Sequence, residues 1–100
     1  MTRSVHFDEP ASAELEDAVR WYESRREGLG AEFFETVSTA LSRIAENSSV
    51  GQAHSADGNT RRMLLERFPY QVVYRIRPHD LVIVAVAHLK RRPGYWKNRR

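Results

Sequence analysis

The chain has 100 residues, of which 41% are hydrophobic and 29% are charged, with five glycines, four prolines and no cysteine. This length and composition predict one globular domain and exclude a collagen-like, disordered or multidomain chain. Without cysteine the chain has no disulfide, no thiolate metal site and no cysteine nucleophile, which fits a reducing compartment. The longest apolar run has seven residues, and the amino terminus has no signal-peptide core. We therefore expect a cytoplasmic protein that does not bind a membrane.

The charge is distributed unevenly along the chain. The net charge is +3, but residues 1–50 carry −5 and residues 51–100 carry +8. Six of the eleven residues from Lys90 to Arg100 are basic, and none is acidic. Such a cluster is typical of a surface that contacts phosphates or an acidic protein, and a solvated basic tail is the simpler interpretation.

The first half of the chain predicts a strand followed by two helices. Residues 3–8 alternate apolar and polar side chains, as a strand with one buried face does. Apolar residues then recur at helical spacing over residues 9–26, and again from the Gly28-Leu29-Gly30 turn to Asn47. Glycine commonly ends a helix because it adopts the left-handed conformation. We therefore expect an antiparallel helical hairpin over residues 9–46.

The first of these helices is amphipathic. Leu15, Ala18 and Tyr22 fall on one stripe, at intervals of three and four residues. We assign the charged residues of this helix to the opposite face: Glu14, Glu16, Asp17, Arg20 and Glu23.

The second half of the chain predicts a sheet. After a polar loop at residues 47–60, three segments rich in Val, Ile, Leu, Tyr and Phe follow, with proline at the connections. The predicted strands are Arg61–Phe68, Tyr70–Arg77 and Leu81–His88. Residues 61–88 therefore predict a three-stranded antiparallel meander, and the last strand is apolar enough to be covered on both faces. Residues 89–100 remain as a basic tail.

The second strand of the meander has two different sides. Its apolar side runs from Tyr70 to Ile76 at every other residue, and we expect the helical hairpin to cover it. Arg75 and Arg77 then project from the opposite, more open face, beside the basic tail.

Four strings spread over the whole chain carry a resemblance to a known family. They are Glu14–Glu23 (ELEDAVRWYE), Gly28–Gly30 (GLG), Arg67–Arg75 (RFPYQVVYR) and His88–Pro93 (HLKRRP) with Trp96. In this order and spacing, the sequence resembles the RelE/ParE toxin superfamily of bacterial type II toxin–antitoxin systems. The resemblance implies an α+β fold for one domain over residues 1–100. Its N-terminal strand and meander form a small curved sheet, and the helical hairpin packs on one face.

Two activities occur in this superfamily, and the resemblance leaves both open. RelE-like members cleave mRNA on the ribosome, whereas ParE-like members bind DNA gyrase and poison it. In both branches a cognate antitoxin neutralises the toxin, so the resemblance implies a hetero-oligomer with an antitoxin. The long hairpin with Trp21-Tyr22-Glu23 and the Gly28-Leu29-Gly30 turn is more similar to the ParE-like branch, which we favour. A toxin relative that has lost its activity and binds only its antitoxin is a further alternative.

Cleavage of RNA needs a general base, a general acid and cations for the developing charge. For that alternative the candidate catalytic residues are Arg67, Arg75, His88 and Tyr95, and we assign none of them firmly. Histidine is the residue type whose ordinary pKa lies nearest neutrality, which makes His88 a candidate, but a half-buried histidine bonded to a backbone carbonyl is an equally good interpretation. Tyr95 precedes Trp96, and we favour the pair as an aromatic anchor that holds the tail on the sheet.

The residues predicted to bind the partner or the target share positive charge or aromatic character, and they lie on the strands of the meander and in the tail. They are Arg61, Arg62, Arg75, Arg77, Lys90, Arg91, Arg92, Tyr95 and Trp96. The four histidines are too scattered for a metal site, and the sequence has no phosphate-binding glycine loop. We expect no metal and no other cofactor.

Overall fold

The structure, a computed structural model, describes residues 3–56 and 58–99. Within these residues the chain forms β1 (Ser4–Phe7), α1 (Glu9–Arg25), α2 (Leu29–Glu46), β2 (Gln52–Ala53), β3 (Thr60–Leu64), β4 (Tyr70–Ile76) and β5 (Asp80–His88). The strands join in one sheet of order β1-β5-β4-β3-β2. The predicted α+β class, opening strand, helical hairpin and antiparallel meander are confirmed.

Glu23 and two glycines build the turn between the helices. Gly28 has a φ of 86°, in the left-handed region that favours glycine. The Glu23 carboxylate accepts hydrogen bonds from the backbone N–H groups of Gly28 and Gly30, each at 3.0 Å. A Cβ atom at Gly30 would lie 2.7 Å from the backbone oxygen of Val19. Gly28 therefore permits the turn, and Gly30 permits the close approach of the two helices.

The fifth strand lies at the centre of the sheet. It pairs antiparallel with β4 on one side and parallel with β1 on the other, in a register that ends with Phe7 opposite Ile83. Its residues 81–87 are all buried, as the apolar character of both its faces predicted. The parallel pairing brings the amino terminus of the chain beside the last strand.

The structure differs from the predicted elements at two places. The third strand is shorter than the predicted Arg61–Phe68, because the chain turns after it. In that turn Arg67 has a φ of 72°, and the Leu65 N–H donates to the Tyr70 carbonyl at 2.9 Å. The loop predicted at residues 47–60 contains β2, whose two residues are too few to give a periodic pattern.

The main core lies between the hairpin and the sheet. Tyr22, Phe33 and Phe68 form an aromatic cluster with ring centroids 4.9–5.1 Å apart. Tyr74 is fully buried beneath the hairpin, and its hydroxyl donates to the Ser48 carbonyl at 2.7 Å. The side of β4 that begins at Tyr70 therefore faces the helices, as predicted.

The opposite face of the sheet is covered by the carboxyl-terminal tail. Trp96 is only 3% exposed and belongs to a second apolar cluster with Val73, Val84 and Ala85. Its ring also packs against His54, with centroids 4.8 Å apart. The face expected to be open is thus partly closed, because apolar side chains of β4 and β5 point toward it and Trp96 shields them from water.

Candidate functional site

A groove of about 570 Å³ opens between α1 and the end of β5. Its apolar wall includes Trp21, Tyr22 and Tyr70, and its polar wall includes His88 and Arg91. The Trp21 side chain is 50% exposed, an unusual state for so large an apolar residue. Such a groove offers apolar area to a partner and charged groups at its rim.

Glu14 closes the edge of β5 beside this groove. The strand pairing with β1 ends at Ile83, and beyond it the Glu14 carboxylate accepts the backbone N–H of Val86 at 3.0 Å. Arg99 donates to the Val84 carbonyl at 3.1 Å and to Glu14 at 3.0 Å. The Glu14 side chain is 16% exposed. Side chains therefore take the place of a neighbouring strand along this part of the edge.

The predicted placement of Glu14 on the helix face opposite the apolar stripe is wrong. Glu14 occupies the same helical stripe as Ala18 and Tyr22, at intervals of four residues, and both of those side chains are buried. The spacing thus contained a signal for burial, but the charge of the residue outweighed it in the prediction. The unpaired edge of β5 supplies the donors that make burial of this carboxylate acceptable.

Tyr95 connects the tail to Glu14. Its hydroxyl donates to Glu14 Oε2 at 2.7 Å, and the guanidinium groups of Arg91 and Arg99 lie over its ring, 3.9 and 5.1 Å from the centroid. Burial raises the pKa of Tyr95 above its ordinary range, and the Glu14 carboxylate raises it further. The phenol therefore stays protonated and keeps its role as a donor.

Arg75 holds the tail from the sheet side. Its guanidinium donates to the Lys97 carbonyl at 3.0 Å and also to the Arg99 carbonyl. We refer to Glu14, Arg75, Tyr95 and Arg99 together as the tail latch. The latch and the buried ring of Trp96 fix the tail on the fold.

The structure does not bring the four nuclease candidates into one site. Arg67 donates to Glu32 on α2 at 2.8 Å, and this bond lowers the pKa of the Glu32 carboxyl below its usual value. His88 accepts the Lys90 N–H on Nδ1 at 3.0 Å and packs against Tyr70. As described above, Arg75 contacts tail carbonyls and the Tyr95 hydroxyl contacts Glu14. Arg67 therefore lies apart from the other three candidates, whereas His88 and Tyr95 line the same hollow and Arg75 holds the same tail as Tyr95.

Five of the residues predicted to bind a partner line a small hollow on the tail side of the sheet. The hollow measures about 100 Å³, and these five are Arg62, Arg91, Arg92, Tyr95 and Trp96. His54 and His88 also line the hollow, and neither was predicted to bind a partner. His54 comes from the polar loop, and no sequence pattern indicated its approach to the tail.

The other predicted binding residues lie elsewhere. Arg61 turns toward the loop and donates to the carbonyls of Gly58 and Gly51 at 3.0 and 2.7 Å. Arg77 pairs with Asp80 at 2.8 Å. Lys90 is exposed just after β5.

Within the residues that the structure describes, no group of three or more His, Asp or Glu side chains could hold a metal ion. No helix there is long and apolar enough to span a bilayer.

Comparison with known proteins finds one family model and several structural neighbours, two of which are described below. The model of the ParE toxin of the type II toxin–antitoxin system, parDE, matches residues 5–93. No curated protein matches the sequence. The chromosomal ParDE TA system from P. aeruginosa has a TM-score of 0.71 and 17% identity, over 87% of this chain and 96% of that chain. A free-state double arginine-to-alanine mutant of E. coli toxin RelE has a TM-score of 0.66 and 17% identity, over 90% of this chain and 86% of that chain. At these identities the neighbours show the fold, which both branches share.

Proposed function

Since this chain belongs to the ParE toxin family of type II toxin–antitoxin systems, we propose that it inhibits DNA gyrase in the cytoplasm and that a cognate antitoxin neutralises it. The family model that matches is that of the ParE branch, and one structural neighbour is a ParDE system. The family model favours the gyrase inhibitor over the mRNA endonuclease, whereas the structural neighbours show the fold that both branches share.

The match to the ParE family model is the observation that carries this choice, and the carboxylate partners of two nuclease candidates agree with it. Transesterification of RNA needs a general acid and a general base that both reach the reacting ribose and phosphate, with cations beside them. Here the Tyr95 hydroxyl is bonded to Glu14, and Arg67 is bonded to Glu32 on the hairpin. An inhibitor that works by binding needs a surface but no acid–base pair, so this arrangement fits it better.

Gyrase supercoiling assays test the proposal. Purified chain is titrated into gyrase with relaxed plasmid, with and without the antitoxin, and cleavage complexes are read from the same gel. We expect inhibition that the antitoxin reverses. Absence of any effect from folded protein that arrests growth would refute the gyrase target.

The groove beside α1 is the surface we propose for the antitoxin. Trp21 is exposed at its rim, and an apolar side chain of the partner can bury there. The basic charge of the second half of the chain favours an acidic, partly disordered antitoxin segment that folds on contact.

Two exposed aromatic residues give a matched test of that surface. Trp21 is 50% exposed at the groove, and Phe34 is 51% exposed on α2, where it does not line the groove. We expect Trp21→Ala to weaken antitoxin binding at least about tenfold, and Phe34→Ala to change it by less than about twofold. Titration calorimetry measures the antitoxin affinity of both variants. A larger loss in Phe34→Ala than in Trp21→Ala would place antitoxin binding on the outer face of α2.

A further inference from the structure

The hollow on the tail side of the sheet concentrates positive charge. Arg62 reaches it from β3, and Arg91 and Arg92 reach it from the tail, with His54 and His88 beside them. Its volume of about 100 Å³ corresponds to roughly three waters at ~30 Å³ each, which is room for a small polyatomic anion. None of the described residues that line it is acidic.

Among the described residues, the arginines of the hollow have no carboxylate partner, a state they share with Arg3, Arg25, Arg43, Arg61 and Arg75. Arg20, Arg26, Arg67, Arg77 and Arg99 each form an ion pair with a carboxylate. In the part of the chain that the structure describes, Arg62, Arg91 and Arg92 form none. Neutral groups hold two of them in place.

The contacts of these arginines orient them without neutralising them. Arg62 donates to the side-chain oxygens of Gln71 and Gln52, at 3.3 and 3.1 Å. Arg91 lies over the Tyr95 ring, 3.9 Å from its centroid. Holding several cations close together without carboxylates is unfavourable unless an anion joins them. Guanidinium groups recognise phosphate oxygens by paired hydrogen bonds.

We propose that this hollow binds a backbone phosphate of nucleic acid, and that the nucleic acid is the duplex DNA held by gyrase. The inference rests on the proposed function, because gyrase supplies the DNA. In this arrangement the tail side of the sheet contacts phosphate, and the groove beside α1 adjoins this site because Arg91 and His88 line both. The tail latch holds on the sheet the segment that follows Arg91 and Arg92.

Fluorescence anisotropy with the full chain tests the site. The probes are a labelled DNA duplex of about 20 base pairs, a labelled single-stranded RNA of the same length, and poly-glutamate as an acidic protein surface. The hollow variant is Arg62→Gln/Arg91→Gln/Arg92→Gln. The matched control, Arg20→Gln/Arg25→Gln/Arg43→Gln, removes the same charge from the helical hairpin.

We expect the wild-type chain to bind duplex with an affinity that falls steeply with salt. The slope of the log of the binding constant against the log of the salt concentration should be about −0.9 for each phosphate neutralised. The hollow variant should lose at least about tenfold in affinity at low salt and about two to three units of slope. The control should lose less than about threefold. The double variant Arg91→Gln/Arg92→Gln, which changes two exposed side chains, should lose an intermediate amount and guards against a folding defect in the triple variant.

Three results would overturn the site: no binding of duplex or RNA by the wild type, equal losses in the hollow variant and the control, or equal binding of poly-glutamate. Tighter binding of RNA than of duplex, with the same dependence on the hollow, would keep the phosphate site and assign it to RNA. Gyrase inhibition measured on the same variants separates the two proposals. Inhibition without hollow-dependent DNA binding refutes the site alone, and hollow-dependent DNA binding without inhibition refutes the gyrase target alone.

Discussion

The two faces of the sheet are stabilised by different interactions. On the hairpin face, Tyr22, Phe33 and Phe68 pack in an aromatic cluster inside the main core. On the tail face, one tryptophan covers the strands, and the polar tail latch holds the segment that carries it. The hairpin face therefore supplies stability, and the tail face presents functional groups on a segment that a few bonds attach.

Truncation in the core of the hairpin face should have the largest effect on stability. Phe33 is fully buried in the hairpin core, and its neighbour Phe34 is half exposed. We expect Phe33→Ala to lower the free energy of unfolding by ~3–5 kcal/mol, because it removes a core ring and leaves a cavity. Phe34→Ala should lower it by less than ~0.5 kcal/mol. Urea unfolding measures both, and a small loss in Phe33→Ala would show that the core lies elsewhere.

A change in the tail latch should have a smaller effect on stability and a larger one on the tail. Glu14→Gln keeps the shape of the side chain but removes the charge that Arg99 and the Tyr95 hydroxyl contact. We expect a loss of ~1–3 kcal/mol and faster proteolysis after residue 89. The exposed Glu16→Gln on the same helix is the control and should match the wild type. Equal rates of proteolysis after residue 89 in Glu14→Gln and Glu16→Gln would show that Glu14 does not hold the tail.

The smallest effect concerns a single hydroxyl and depends on pH. Tyr95→Phe keeps the ring but loses the bond to Glu14, so we expect ~1 kcal/mol less stability at pH 7. Burial and Glu14 raise the pKa of Tyr95 in the folded chain. Its contribution is therefore complete below ~pH 10, where the unfolded phenol is also protonated, and declines as the pH rises toward the folded pKa.

Chemical unfolding of wild type and Tyr95→Phe between pH 7 and 11 checks this dependence. The difference between the two unfolding free energies should narrow above ~pH 10. A difference that stays constant or widens through that range would show that the phenol is not held as a donor.

The architecture was accessible from the sequence because its helices and strands carry regular apolar patterns. The stripe through Ala18 and Tyr22 gives the first helix, and the apolar run of β5 gives a strand buried on both faces. The Gly28-Leu29-Gly30 string also located the hairpin turn. Local periodicity is enough for these elements because each buries one continuous surface.

The site was less accessible because it depends on contacts between distant parts of the chain. Glu14 meets Tyr95 and Arg99 across more than eighty residues. His54 approaches Trp96 from a loop without any periodic pattern. The pairing of β1 with β5 is likewise not indicated by any local sequence pattern. The charge pattern did indicate a basic surface, but it did not separate Arg62, which lies in the hollow, from Arg61, which holds the loop.

One pair of assays on a single preparation tests the central claim, that this chain acts on gyrase by binding. The purified chain is added to gyrase with relaxed plasmid and, in parallel, to ribosomes translating a defined mRNA. We predict inhibition of supercoiling with cleavage complexes in the first reaction and intact mRNA in the second. Cleaved mRNA with unaffected supercoiling would contradict the account and assign the chain to the nuclease branch.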